Sequence, residues 1–210
     1  MNKKGFTLIE MLVVMGIIAV LMGALIVGFG RITKTAQRAK AQETVSNAAT
    51  ALSILLQQNG AWPKKIIDCG GSNNEGKGMT VDVAKIFARK SLMGVSYDNT
   101  IANPTYEPTG TDRCGIVDPW AVAVLKRNSG ANESSSVPSG GFVRDHRIFY
   151  AVDEDGDGIT EADVGNPPAH IRVRATAIAW CAGADGKFAD PKARGRSDDV
   201  YSWRADQEVK

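Results

Sequence analysis

Hydrophobic and polar positions divide the chain into three regimes. Residues 11–30, MLVVMGIIAVLMGALIVGFG, carry no formal charge, and as a helix they span about 30 Å, the thickness of a bilayer's hydrocarbon core. The run outlasts the roughly 7–15-residue core of a secretory signal and ends in GFGRITK, a poor small-x-small cleavage site, so the pattern predicts a retained membrane helix. Past Gly30 the period becomes one-sided. Ala41, Val45, Ala48, Ala49, Leu52, Leu55 and Leu56 recur at three- and four-residue steps, the stripe of an amphipathic helix that something else must cover. Asn59 and Gly60 followed by Pro63 mark its end.

The third regime is loop-rich. Thr80 is placed to cap a short helix over residues 81–90, with Val83, Ile86 and Phe87 inward. Residues 120–125, 148–152 and 200–203 read as short strands, and residues 70–78, 103–112 and 128–141 as loops. Over 170–181, Ile171, Val173, Ala175, Ala177, Ala179 and Cys181 alternate with Arg172, Arg174 and Thr176, the pattern of one half-buried strand. The expected fold is α+β: a long N-terminal helix, membrane-spanning in its first half and amphipathic in its second, packed on a small antiparallel sheet with long loops.

Composition removes several classes. The 210 residues carry 25 Lys and Arg against 23 Asp and Glu, a formal charge of +2, without the concentrated basic surface of a nucleic-acid binder. A hydrophobic content of 43% suits a packed domain rather than a disordered one. Three cysteines and two histidines show no zinc spacing. No phosphate-binding glycine loop or nucleophile elbow is present, and His146 and His170 read as exposed residues rather than catalytic ones. Nothing in the sequence points to an enzyme.

Glu10 interrupts the apolar start of the chain. A carboxylate deep in a membrane helix costs on the order of 2.5–3.5 kcal/mol and so implies a function and a partner; the alternative is a headgroup-level residue at the helix start. The segment around it, MNKKGFTLIE, resembles the N-terminal signal of type IV prepilins and type II secretion pseudopilins. Lys3 and Lys4 form the basic leader, Gly5 precedes the cut, Phe6 follows it, and Thr7, Leu8, Ile9 and Glu10 lead into the apolar run.

The resemblance implies cleavage between Gly5 and Phe6 by a membrane prepilin peptidase, which also methylates Phe6. It implies that Glu10 faces the freed N-terminal amine of Phe6 in a neighbouring subunit. The implied organisation is a leader (1–5), a membrane and filament-core helix (6–30), an amphipathic stalk (31–60) and a periplasmic head (61–210). The chain would cross the inner membrane once, N-terminus in the cytoplasm, before entering a filament. Arg31, Lys34, Arg38 and Lys40 would by charge alone place the far side in the cytoplasm; the signal implies the opposite orientation. The implied partners are further copies of the chain, other pseudopilins, the peptidase and the inner-membrane assembly platform, with no nucleic acid.

Two acidic loops are candidate calcium sites, since calcium takes six to eight oxygen ligands from carboxylates and carbonyls. GADGK at residues 183–187 with DDVYSW at 198–203 resembles the C-terminal calcium loop of major pseudopilins, which implies Asp185 and Asp199 as ligands, with Asp198 possible. Asp118, Pro119 and Trp120 likewise resemble that family's DPWG segment, with Ala121 in place of its glycine. The second loop holds Asp153, Asp155 and Asp157 with Gly156 and Gly158, the first half of an EF-hand pattern. Val164 stands at its twelfth position, and Glu161 or Asp163 is available to complete a different site; the plain alternative is an acidic hairpin turn. Outside the inner membrane disulfides persist. Cys69 and Cys114 are the expected pair, with Cys181 buried and free, though spacing leaves the other pairings open.

The function this implies is a structural subunit of a type II secretion pseudopilus or type IV pilus-like filament. The alternative is a minor, filament-tip module that binds a surface, DNA or a secreted protein.

Overall fold

The computed structural model describes residues 8–68, 77–93, 115–121, 146–165, 167–189 and 197–209. The chain divides into two compact units, Met1–Gln37 and Arg38–Lys210. Helix α1 runs Leu8–Asn59. It ends where Gly60, at φ +69°, donates its N–H to the Leu56 carbonyl at 2.8 Å, the left-handed stop that glycine adopts without steric cost.

In the first unit, Leu8, Ile9, Met11, Leu12, Val13, Val14 and Met15 are all exposed, so every face of that part of α1 is apolar and uncovered. Among the described residues no helix is long and apolar enough to cross a membrane. The side chains of residues 24–31, in the second half of the apolar run, lie outside them.

The second unit has three layers. Strands β1 (Lys77–Gly78), β2 (Phe149–Val152), β5 (Ala177–Cys181) and β6 (Val200–Tyr201) form an antiparallel sheet in the order β1-β2-β5-β6. Phe149 lies opposite Trp180 and Val152 opposite Ala177; Cys181 lies opposite Val200. One face, through Tyr150, Val152, Ala177, Ala179, Cys181 and Val200, packs with Ala41, Val45, Ala48, Leu52 and Leu55 of α1. Short helices α2 (Lys64–Asp68) and α3 (Val81–Arg89) add Ile66, Val83 and Phe87 to that core. The other face, through Phe149, Ala151, Ile178 and Trp180, packs with Ala162, Val164, Val173 and Trp203. These come largely from the hairpin of β3 (Thr160–Val164) and β4 (Ala169–Val173).

The amphipathic stripe is therefore covered as its period required. Leu52 is fully buried at the centre of the first core. Leu52→Ala is expected to destabilise the second unit by about 2–5 kcal/mol, the usual range for a buried leucine, as read by denaturant unfolding.

Several expected elements change. Residues 170–181 are two strands in two sheets, broken at 174–176, where Ala175 N–H turns back to the Val173 carbonyl at 2.9 Å and Asp153 N–H takes the Thr176 carbonyl at 3.0 Å. Because β5 lies between two cores, it is buried on both faces rather than half-buried. Residues 119–121 are helical rather than extended; Asp118 caps them, its Oδ1 accepting the Ala121 N–H at 2.9 Å, and Pro119 fits the first helical position. Residues 122–125 lie outside the described residues. The last strand ends at Tyr201, and Lys77 and Gly78, expected as loop, form the edge strand β1. Strand β3, not expected, alternates buried Thr160, Ala162 and Val164 with Glu161 and Asp163.

Gly115 marks a close approach. A Cβ there would lie 1.6 Å from the Met79 carbonyl oxygen, so the segment from 115 to 118 runs against residue 79 only because glycine has no side chain. Ile116 N–H donates to that carbonyl at 3.0 Å, and Ile148 N–H donates to Ile116 at 3.0 Å.

Candidate functional site

Residues 1–7, with Gly5 and Phe6, lie outside the described residues. Glu10 sits in the first turn of α1, among exposed Leu8, Ile9, Met11 and Leu12. An apolar helix surface uncovered on every side requires lipid or a partner helix, because water-exposed apolar area of that extent is unfavourable.

In the loop after β2, Asp153, Asp155 and Asp157 each bring a carboxylate oxygen within 4.8 Å of the other two. Asp153 is buried, and its Oδ1 and Oδ2 accept the N–H groups of Gly156 at 2.7 Å and Gly158 at 2.8 Å. Asp157 Oδ1 accepts the Ile159 N–H at 2.7 Å. The Asp155 carboxyl is pushed above its ordinary value, first by its hydrogen bond to Asp153 and also by the Asp157 charge; crowded carboxylates resist ionising together. The loop links β2 to β3, strands of different sheets, so it is not a hairpin turn. The indole N–H of Trp62 donates to the Asp153 carbonyl and Lys77 pairs with Glu154, tying the loop to residues beside α1 and β1. Glu161 and Asp163 do not complete this site. They lie on β3 and engage β4, Glu161 with Arg172 at 2.7 Å and Asp163 with His170 at 3.0 Å.

The C-terminal loop is arranged differently. Among the described residues, Asp185, Asp198 and Asp199 do not gather into such a trio. Asp185 is exposed, with Oδ1 on the Lys187 N–H at 2.9 Å. Asp198 Oδ2 clamps the turn after β5, accepting from Ala184 N–H at 2.6 Å and Asp185 N–H at 3.3 Å. Asp199 is 5% exposed; its Oδ2 accepts from Ala189 N–H and the Tyr201 hydroxyl, both at 3.0 Å, while Oδ1 is buried with no hydrogen-bond partner among the described residues. Burial holds this carboxyl above its usual range, against the Ala189, Ser197 and Tyr201 hydrogen bonds. A buried carboxylate oxygen without a partner is costly unless a cation meets it. Hard oxygen donors suit calcium, so this observation fits an ion at Asp199, with Asp198 acting as a clamp.

Cys181 is buried and free on the face of β5 toward α1, as expected; burial pushes its thiol up to about 12, so it stays protonated and unreactive at neutral pH. Cys69 and Cys114 lie outside the described residues. His170 is exposed as expected, but His146 is not. It is 3% exposed, with Nδ1 2.8 Å from Oδ2 of fully buried Asp118. Backbone pairing of residues 115–118 with 146–148 creates that burial, and no local sequence pattern announces it. The one signal was Asp118 before Pro119, which reads as a helix cap.

The model of the prokaryotic N-terminal methylation motif matches residues 1–26. No curated protein and no solved structure matches the chain. The motif belongs to structural, pilin-type subunits, and its match covers the residues expected to form the leader and the cleavage position, together with Glu10 and most of the apolar run. The N-terminal signal of the chain is thus of the type IV prepilin and pseudopilin kind.

Proposed function

We propose that the chain is a structural subunit of a type II secretion pseudopilus or a type IV pilus-like filament, most similar to the major pseudopilin. The observation that carries this reading is the methylation motif over residues 1–26, supported by the uncovered apolar surface of the first unit. Prepilin peptidase removes residues 1–5 and methylates Phe6. The precursor waits in the inner membrane as a single-pass protein, N-terminus cytoplasmic and head periplasmic. The assembly platform then stacks it with further copies and other pseudopilins, so that the apolar part of α1 exchanges lipid for neighbouring helices. Calcium holds the C-terminal loop through Asp199 and neighbouring carbonyls, with Asp185 and Asp198 shaping the turn. The loop of Asp153, Asp155 and Asp157 is a second candidate for the same ion.

Mass spectrometry of the membrane-extracted protein tests the reading. With the peptidase present, the mature chain should begin at N-methylated Phe6; without it, residues 1–5 should remain. A chain that keeps its leader beside an active peptidase refutes the assignment.

A further inference from the structure

Asp118 and His146 are held side by side by the backbone, Asp118 N–H donating to the His146 carbonyl at 2.9 Å. The Asp118 carboxylate then divides its work. Oδ1 caps the helical turn at Ala121, and Oδ2 accepts the hydrogen bond from His146 Nδ1–H. With Nδ1 as donor, the opposite edge of the ring carries Nε2. That edge lies against Gly186: a Cβ there would sit 2.9 Å from Nε2, 3.3 Å from Cδ2 and 3.4 Å from Cε1.

Gly186 closes the turn over residues 183–186, whose other flank is gripped by Asp198 through the N–H groups of Ala184 and Asp185. The backbone is equally close on that side, since a Cβ at Gly183 would lie 2.6 Å from the Asp198 carbonyl oxygen. The turn is thus held between Asp198, which is part of the same loop, and His146, which is anchored to the buried 115–118 segment. Three residues past Gly186, the Ala189 N–H fixes Asp199 Oδ2 and with it Oδ1, which has no partner among the described residues.

We propose that Asp118 and His146 are positioning residues for the calcium loop, transmitting the rigidity of the paired 115–118 and 146–148 segments to the turn that sets Asp199. This rests on the calcium reading above. Outer-shell partners that bond a metal ligand directly commonly account for about 10–100-fold in affinity; the pair lies one step further out, reaching Asp199 through the 183–186 turn and the Ala189 N–H.

The test uses full-length protein in detergent micelles, in an Asp155→Asn/Asp157→Asn background so that calcium titration reports the C-terminal loop. His146→Ala should weaken calcium binding by up to about tenfold, the lower end of the range for direct outer-shell partners, and speed hydrogen exchange at the Ala184 and Asp185 amides without calcium. His146→Asn, which keeps a donor for Asp118, should recover part of both and serves as the readout if the alanine variant does not fold. Gly186→Ala should cost less affinity in the His146→Ala background than in the parent, because the ring it meets is gone; contacting residues show such coupling. A folded His146 variant with parental affinity, parental exchange at Ala184 and Asp185, or strictly additive effects with Gly186→Ala overturns the proposal. A parent that binds no calcium overturns the calcium reading instead, and the exchange data still decide whether the pair holds the turn.

Discussion

Glu10→Ala is expected to leave the leader cleaved and Phe6 methylated while the filament fails to form. The substitution lies outside the cleavage position between Gly5 and Phe6, so processing should proceed. Assembly is another matter. In the proposed filament the carboxylate meets the freed amine of a neighbouring subunit in an apolar surround, and removing one partner of a buried ion pair costs about 3–5 kcal/mol. At about 1.4 kcal/mol per tenfold, each added subunit would associate at least a hundredfold more weakly. The measurement is the ratio of pelleted filament to mature-size protein in membranes. A normal ratio would place Glu10 at the headgroup level, as a mere marker of the helix start. Glu10→Asp, with its charge kept but its reach shortened, should fall between.

Asp199→Asn is expected to abolish the rise in melting temperature that calcium gives the parent. With free calcium at a hundred times the dissociation constant, binding stabilises by about 2.7 kcal/mol. For a chain of 210 residues that corresponds to about 5–10 °C. The metal-free variant should melt at or slightly above the metal-free parent. The reason is the sign of the Asp199 shift. Burial raises this carboxyl in the folded chain, so the folded state holds the ionised form less readily than the unfolded state does. Stability is therefore lost as pH rises from the ordinary carboxylate range through the raised value, and the loss persists at neutral pH. Asparagine removes the charge and keeps an acceptor for the Ala189 N–H. If Asp199→Asn keeps the full rise and Asp155→Asn removes it, the ion belongs to the loop after β2.

Much of the architecture was legible because it rests on local period. The α1 stripe from Ala41 to Leu55 and the stop at Gly60 follow from steps of three and four residues and one residue able to adopt positive φ. Helix α3 and strand β2 follow from equally local cues. The break at 174–176 was hidden because Ala175 continues the alternation through the bend, and the turn is imposed by Asp153 and the β3 hairpin, far away in sequence. Strand β3 carried its own alternation, but Glu161 and Asp163 disguised it as part of an acidic loop; Arg172 and His170 across the hairpin make those charges tolerable. The N-terminal motif was readable residue by residue. The acidic loops were readable as candidates only, since whether carboxylates converge depends on what else claims them. Asp198 is claimed by backbone amides and Asp185 by the Lys187 amide, which no spacing rule announces. His146 shows the same limit from the other side, its burial coming with a partner, Asp118, 28 residues earlier.

The end of the chain gives the outer hairpin a property that matters for any subunit built into an array. Arg174 N–H donates to the Gln207 carbonyl at 3.0 Å and Val209 N–H donates to the Arg172 carbonyl at 2.7 Å, while Val173 bridges to Glu208. The free side of β4 is thereby sealed by the segment after Trp203. An unsealed strand side on a molecule concentrated beside its own copies is an invitation to pair out of turn. With that side closed, β4 offers a neighbouring copy no open backbone to pair with.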